Sequence, residues 1–315
     1  MSVASTQHLK TPPSVKEALV RELLAGQNAD GGWGASPGAI SNTECTALAR
    51  LALSTTGADP EGPVRWLLSR QDQSGAWRYQ TAGPAVPWPT PIALLAVRGA
   101  SGKDPAAAVD RGFAWLLEQR SKPLPWRIRL GQWLTGTKVV EHDTTLHGWS
   151  WAPGTAAWVE PTAWALMALK AHWPGEAPRA IRGRVREGEA MILDRECPSG
   201  GWNYGNKRAL DQDLAPYPDT TALALLALRG RSPAEVERGF GALNRLLDEQ
   251  ASGLALALGT LCRRAWGAGR DAAALEARLA GRYESGGFSG ESRTLALAVL
   301  ALAPTTDWLG NPSHG

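Results

Sequence analysis

The sequence is poor in residues that cross-link a chain or bind a metal. Its 315 residues include three cysteines, three methionines and five histidines. Cys45, Cys197 and Cys262 lie far apart without paired spacing, which excludes a disulfide framework and a Cys-x-x-Cys zinc knuckle. We therefore expect three small buried side chains in a reducing compartment.

Long apolar runs and a strong net charge are also missing. No stretch approaches the roughly 18 to 20 apolar residues of a membrane-spanning helix, and the N-terminus, MSVASTQHLKTPPSVKE, lacks the apolar segment of a secretion signal. With 33 basic and 30 acidic residues, the formal charge of +3 is too small to indicate nucleic acid binding. We expect a cytoplasmic protein without a nucleic acid partner, and peripheral contact with a membrane remains open.

Tryptophan dominates the aromatic residues, with 15 copies against three phenylalanines and four tyrosines. Most of these tryptophans recur at one place in an internal repeat, which identifies a repeat architecture. Each unit is an amphipathic segment, a glycine-rich turn with an aromatic residue, and a second segment rich in Ala and Leu. Two clear units begin at LLAGQNADGGW (23–33) and WLLSRQDQSGAW (66–77).

The two segments of each unit have different helical patterns. The first carries charges on one face, as expected of an outer helix, at 15–26, 61–71, 105–119, 182–196, 233–249 and 271–282. The second is apolar nearly all round, as expected of a buried inner helix, at 43–54, 90–99, 160–171, 219–229, 253–266 and 292–303. Six such pairs predict an all-α fold, an (α/α)6 toroid with an inner and an outer ring.

This pattern also predicts the domain limits. We expect a disordered N-terminal arm over residues 1–13, the toroid over 14–304 and a C-terminal tail over 305–315. Residues 120–157 show little helical periodicity and are predicted to form an irregular loop insertion.

The glycine-rich turns carry a family resemblance. Trp66-Leu67, followed by Gln71, Gly75 and Trp77, resembles the QW motif of squalene-hopene cyclases, and Leu23 to Trp33 is a second copy. More divergent copies begin near Trp115, Glu196 and Gln250. The chain thus resembles a single-domain member of the terpenoid cyclase and prenyltransferase β-subunit superfamily. We expect the motif glutamine to bond the start of the next inner helix and the indole to pack over it.

Three acidic residues occupy one equivalent position when the inner helices are aligned on their shared Thr-Ala-x-Ala-Leu core. Glu44, Glu160 and Asp219 each stand near a helix N-terminus, so they would ring one mouth of the toroid. Acids in a first turn are also favoured as helix caps, and that interpretation stays open for each one. Three acids beside an apolar cavity would have raised pKa values and could hold a proton.

The resemblance implies a specific chemistry for these acids. Class II terpene cyclases use an aspartic acid, within a DxDD motif followed by Thr-Ala, to protonate an alkene or epoxide in an aromatic cavity. The matching stretch here is Tyr217-Pro218-Asp219-Thr220-Thr221-Ala222, which keeps only the middle aspartate, the proton donor of the family. The implied catalytic residues are Asp219, Glu160 and Glu44. The residues expected to contact an apolar polyene are Trp88, Trp149, Trp151, Trp158, Trp164, Trp202, Tyr204 and Tyr217.

Other metal-dependent members of the superfamily fit less well. Prenyltransferase β-subunits bind zinc with an Asp and a Cys two residues apart and a later His, but Asp219 is followed by Thr221. A lanthipeptide cyclase would need a Cys and a Cys-His pair, which is also absent from the sequence. His142 and His147 have no metal-site spacing, so we expect no metal and no cofactor. A zinc-free relative of prenyltransferases remains the least favoured alternative.

The insertion suggests a surface role. It contains two tryptophans, Trp126 and Trp133, and five basic residues, Arg120, Lys122, Arg127, Arg129 and Lys138. This combination suits contact with an anionic membrane surface or a diphosphate group, and it also suits a loop that is simply exposed to solvent. We expect an apolar isoprenoid or lipid-like ligand, while a homodimer or a partner toroid remains open. A non-catalytic toroid that binds a lipid or a protein is the alternative to a cyclase.

Overall fold

The computed structural model describes residues 14–58, 61–123, 125–135, 141–209, 212–249 and 251–310, with the side chains of residues 61, 128, 129, 132, 135 and 209 left aside. The expected arm over residues 1–13 and the end of the tail, 311–315, lie outside the described residues. Within them the chain is almost entirely helical. Twelve helices form six pairs, and a thirteenth helix lies in the insertion.

The six inner helices closely follow the apolar segments of the sequence. They are α2 (Thr43–Ser54), α4 (Pro89–Val97), α7 (Val159–His172), α9 (Pro218–Ala227), α11 (Gly253–Ala265) and α13 (Ser292–Ala301). The outer helices are α1 (Val15–Ala25), α3 (Glu61–Leu68), α5 (Lys103–Glu118), α8 (Arg179–Asp194), α10 (Pro233–Glu249) and α12 (Gly269–Gly286). The expected all-α double ring is confirmed.

Contacts between successive inner helices close the ring. Helix α2 packs on α4, and the series continues through α7, α9, α11 and α13, which returns to α2. A repeated hydrogen bond links the units: the backbone N–H that starts an inner helix donates to a carbonyl in the turn of the next unit. Thr43 N bonds Tyr79 O at 2.8 Å, and Ser292 N bonds Ala35 O at 3.0 Å. The second bond joins the last unit to the first.

In four of the six units, a repeated tryptophan holds the outer helix to its inner helix. The Trp77 indole N–H donates to the Leu67 carbonyl at 2.8 Å, and its backbone N–H donates to Thr90 Oγ1 at 3.0 Å. Trp33, Trp149 and Trp202 repeat both bonds, with Leu23, Leu116 and Ile192 as carbonyls and Thr46, Thr162 and Thr221 as hydroxyls. Each of these carbonyls also accepts a backbone N–H from the turn that ends the outer helix, such as Arg70 N for Leu67 O at 2.9 Å, so the indole adds a second hydrogen bond.

The motif glutamines have different partners from those expected. Gln71 Nε2 donates to the Gly75 carbonyl at 3.0 Å and to the Ala108 carbonyl at 2.7 Å, while Gln27 Nε2 donates to Gly31 O at 3.0 Å. The glutamine therefore closes its own turn, and in one unit it also ties the turn to the next outer helix. The prediction of a bond to the inner-helix start was wrong, because the free N–H groups there already donate elsewhere: Asn42 N donates to the motif tryptophan Trp33, and Thr43 N donates to Tyr79 in the turn of the next unit.

The insertion and the tail contain more structure than their sequences suggested. Helix α6 (Trp126–Thr135) lies within the stretch expected to be an irregular loop, so that expectation was wrong for these residues. Elsewhere, the two-residue strands β1 (Arg208–Ala209) and β2 (Gln212–Asp213) pair antiparallel. In the tail, Trp308 and Leu309 are buried in a 3-10 turn against α7. Within the described residues, no helix is long and apolar enough to cross a membrane.

Candidate functional site at the mouth of the inner ring

The centre of the ring is packed with side chains rather than open. Every residue of α4 is buried, as are Thr43 to Leu53 of α2 and Val159 to Leu169 of α7. A helix buried on every face has side chains and not solvent on the side that faces the ring axis. Trp164 follows Glu160 by four residues, so it lies on the same face one turn deeper, and it is 1% exposed. A deep cavity for a polyene was expected, but the inner helices leave no such space.

Solvent reaches the ring at the N-terminal ends of the inner helices. Asp219, Leu254 and Arg293 are the second residues of α9, α11 and α13, three successive helices of the ring, and all three are partly exposed. Their neighbours deeper in each helix are buried. The mouth, meaning the N-terminal ends of the inner helices, is therefore open to solvent at α9, α11 and α13.

Two of the predicted acids meet at this mouth through a residue that the alignment did not single out. Arg293 Nη2 donates to Glu160 Oε1 at 2.6 Å, and Arg293 Nη1 lies 3.3 Å from Glu44 Oε1. Helix α13 is adjacent to α2 but lies opposite α7 in the ring, so the guanidinium spans the mouth. Glu44 and Glu160 are brought together as expected, and they are joined by a cation.

Burial and neighbouring charges shift the pKa values of Glu44 and Arg293. Burial raises the pKa of the Glu44 carboxyl; Arg293 opposes the rise, and Glu160 and Glu291 add to it. Burial works to lower the pKa of Arg293, but the charges of Glu160 and Glu44 outweigh it, so its pKa lies above the ordinary value. Arg293 therefore stays charged, whereas Glu44 holds a proton more readily than a solvated glutamate.

Glu44 is also incompletely bonded. Among the described residues, its Oε1 atom has no hydrogen-bond partner, because the Arg293 contact lies outside hydrogen-bonding geometry. Glu44 is 8% exposed. A buried carboxylate oxygen without a donor loses hydration without full compensation, which favours the protonated form.

Asp219 occupies a different environment from the two glutamates. It is partly exposed, and among the described residues it forms neither a hydrogen bond nor an ion pair. It lies near Tyr204: burial raises the pKa of that phenol, and the charge of Asp219 adds to the rise. The structure thus places Asp219 at the open edge of the mouth, on the helix next to that of Glu160.

Aromatic side chains border the mouth at two places. Tyr79 and Trp88 have ring centroids 5.0 Å apart, and Trp88 and Trp151 have centroids 5.2 Å apart. Tyr204 and Tyr217 form a second pair at 5.1 Å, and their side chains are 48% and 42% exposed. Burial raises the pKa of Tyr79 to about 12, and the charge of Glu44 contributes, so this phenol lies near Glu44 and remains protonated.

Some of the aromatic residues expected at the site lie elsewhere. Trp149 and Trp202 are buried between the outer and inner rings, where their indoles bond outer-helix carbonyls. Trp164 lies within the packed centre, and its Nε1 has no hydrogen-bond partner among the described residues. Of the eight predicted contact residues, Trp88, Trp151, Trp158, Tyr204 and Tyr217 keep some exposure.

A cavity of about 430 Å³ lies beside the mouth, between the toroid and the insertion. Lys122, His142 and Arg195 contribute polar groups to its lining, and Trp158, the residue before α7, contributes an aromatic wall. Burial lowers the pKa of His142 to about 4, with Arg195 adding to the effect, so the imidazole is neutral at physiological pH. The cavity connects the base of the insertion with the residues around the mouth.

Comparisons with known proteins give similarity of structure alone. No family model matches the chain, and no curated protein matches it. A solved structure of the type II terpene cyclase MstE from Scytonema without ligand is 21% identical, covers 76% of this chain and 79% of its own, and has a TM-score of 0.38. A variant of that enzyme with geranylgeranyl dihydroxybenzoate is 18% identical over 94% and 96%, with a TM-score of 0.41. A protein from Actinoplanes is 18% identical over 91% and 98%, with a TM-score of 0.45.

Proposed function

We propose that this toroid is a terpene cyclase-like protein that binds an isoprenoid chain across the mouth of its inner ring. The observation that carries the proposal is the pairing of a buried, proton-retaining carboxyl, Glu44, with partly exposed aromatic rings. Because the ring centre is packed, the chain would lie across the mouth rather than inside the toroid. Trp88, Trp151, Tyr204 and Tyr217 offer the flat apolar faces for it.

These groups suit a reaction that proceeds through a carbocation. In a proton-initiated cyclisation, a carboxylic acid gives its proton to a terminal alkene carbon, and the adjacent carbon becomes a carbocation. Aromatic faces and carboxylates both stabilise such a cation. Glu160 and Asp219 would supply negative charge on neighbouring helices, without a metal or a cofactor.

Within this proposal, Glu44 is a better proton donor than Asp219, the residue that the sequence motif favoured. A donor to an alkene must hold its proton at neutral pH, which requires a raised pKa. Burial raises the pKa of Glu44, whereas Asp219 is open to solvent at the edge of the mouth. Asp219 would then act through its negative charge on the cationic chain.

A second candidate is binding without turnover, and one observation favours it. Arg293 contacts both glutamates, and a fixed guanidinium beside the donor would repel a developing carbocation. In this case the mouth would hold an isoprenoid or lipid chain and leave it unchanged.

Product analysis and binding measurements distinguish these functions. The protein is incubated separately with geranylgeranyl diphosphate, squalene and oxidosqualene, and products are identified by mass spectrometry while binding is followed by calorimetry. We expect Glu44→Gln to abolish product formation and retain binding, and Asp219→Asn to lower turnover. The matched control, Glu176→Gln, changes an exposed glutamate away from the mouth and should leave both unchanged.

The possible outcomes separate the two candidates. Binding of a substrate without any product supports the non-catalytic function. If Glu44→Gln keeps turnover and Asp219→Asn abolishes it, Asp219 rather than Glu44 is the proton donor. The absence of both binding and product with all three compounds would contradict the proposal.

A further inference from the structure

The insertion helix α6 presents large apolar side chains to solvent. Trp126 is 67% exposed, Trp133 is 78% exposed and Leu134 is 68% exposed. Leu130, between them, is 44% exposed. Monomeric proteins rarely leave several such side chains together in water, so this surface is expected to contact something else.

The four residues form one continuous stripe. Trp126, Leu130, Trp133 and Leu134 follow one another at helical spacings of four, three and one residues. At 100° per residue these positions fall on a single face of an α-helix. The stripe covers the length of α6, from its first residue to its penultimate one.

Positive charge accompanies this stripe. The guanidinium carbon of Arg127 lies 5.6 Å from the centroid of the Trp126 ring, and Arg127 is exposed. The sequence from residue 119 to residue 140 contains three arginines and two lysines and no acidic residue. The stripe is therefore set in a strongly basic segment of a chain whose total charge is small.

We propose that α6 is a membrane-docking helix that lies in the interface of an anionic lipid bilayer. Indoles prefer the boundary between headgroups and acyl chains, and Arg127 with its basic neighbours complements anionic headgroups. An apolar groove on a partner protein would cover the four apolar side chains. It would not explain why the same segment holds five basic residues and no acidic residue. The proposal is independent of the function proposed for the mouth.

Helix α6 begins close to the cavity beside the mouth, so a membrane bound to α6 would lie near the mouth. Ser121, Lys122 and Pro125, just before α6, line the cavity that Trp158 and Gly205 also line. Trp158 immediately precedes α7, and Tyr204 precedes Gly205. A bilayer that holds α6 would thus lie near the aromatic border of the mouth.

Vesicle partitioning tests the proposal with the full chain. Binding is measured by sedimentation with vesicles of phosphatidylcholine alone and with an equimolar mixture of phosphatidylcholine and phosphatidylglycerol. We expect binding to the anionic vesicles that weakens as salt is raised. Trp126→Ala with Trp133→Ala should weaken it by at least about tenfold, because two half-embedded indoles are lost. Arg127→Gln should weaken it by about fivefold.

Matched variants separate this result from a general loss of stability. Leu24→Ala with Ile40→Ala removes two exposed apolar side chains elsewhere, 42% and 71% exposed, and should bind like the wild type. Circular dichroism melts should be the same for all variants, since the changed side chains are exposed. The proposal is overturned by an absence of binding, by equal binding to both kinds of vesicle, or by binding that the double tryptophan change leaves intact. A wild-type dimer that the same double change converts to a monomer would also overturn it.

Discussion

Arg293 and Glu160 meet across the full width of the inner ring. They belong to α13 and α7, which lie opposite each other, and Nη2 is 2.6 Å from Oε1. With Glu44 on the neighbouring helix α2, the pair forms a three-residue ionic bridge at the mouth. This bridge ties together helices that the ring otherwise links only through their neighbours, and it sets the charge of the candidate site.

Replacement of Arg293 by leucine should destabilise the protein by about 2 to 4 kcal/mol at neutral pH, because two carboxylates, each about nine-tenths buried, lose their shared cation. Without Arg293 the pKa of Glu44 should rise further, so the folded state would hold a proton that the unfolded state has lost. The loss should therefore shrink as pH falls toward 5. The difference in unfolding free energy between the variant and the wild type is measured by urea unfolding at pH 7 and at pH 5. Arg65→Leu, at an exposed position, is the control, and an equal effect from both changes would contradict the bridge.

Replacement of Glu44 by glutamine should flatten the pH dependence of stability. The pKa of Glu44 is raised in the folded state, so its favourable contribution is full below the unfolded pKa of about 4.3 and is lost as pH rises through the folded value. Unfolding free energy measured from pH 4 to pH 8 should decline less steeply in Glu44→Gln than in the wild type. A steeper decline in the variant would mean that the pKa of Glu44 is lowered instead.

The sequence predicts the ring better than it predicts the site. Inner helices such as α2 are recognisable because a helix buried on all sides must be apolar all round. Helix α6 was missed although its apolar residues recur at helical spacing, because it is only ten residues long, follows Pro123 and Pro125 and contains Gly131. Prolines and glycines of this kind are more often signs of a loop.

The site was partly predictable for a related reason. Alignment of the inner helices on a shared threonine correctly placed Glu44 and Glu160 at one mouth. Arg293 was overlooked because it stands one position away from the aligned acids, although it is the sole charged residue in Ser292–Ala301. A lone charge at the start of an otherwise apolar inner helix was the available signal. Trp202 could have been assigned to packing because it follows an outer helix as Trp77 does. Trp149 could have been assigned to packing because it stands 13 residues before Thr162, as Trp77 stands before Thr90.

Deletion of one repeated indole bond should have a measurable cost. Trp77→Phe keeps a large ring but removes the N–H that donates to Leu67 O, a carbonyl in the buried layer between the rings. Leu67 O keeps its bond from Arg70 N, so we expect a loss of about 1 to 2 kcal/mol in unfolding free energy from the missing indole bond and the smaller ring. The control is Trp133→Phe on α6, where the side chain is exposed and little should change. Equal melting temperatures for Trp77→Phe and the wild type would show that the bond adds nothing.

The opposite end of the ring depends on a lysine whose side chain is 15% exposed. Lys170 Nζ, on α7, donates to the carbonyls of Ala227 and Arg229 at 2.6 and 2.7 Å, and it lies 2.6 Å from Glu189 Oε1. Burial lowers the pKa of Lys170, but the Glu189 charge and hydrogen bond oppose the shift. The ammonium group thus satisfies the C-terminal end of α9, a neighbouring inner helix, and neutralises a carboxylate of the outer helix α8.

Lys170→Met should therefore cost about 3 kcal/mol of unfolding free energy, since it leaves two carbonyls unpaired and weakens the neutralisation of Glu189. Arg231, 3.7 Å from Glu189, can compensate only in part. Adding Glu189→Leu to Lys170→Met should recover some of this loss, because the second change removes the buried charge. Lys103→Met at an exposed position should stay within about 0.5 kcal/mol of the wild type. If the double variant is less stable than the sum of the two single changes predicts, the lysine and glutamate do not act as a pair.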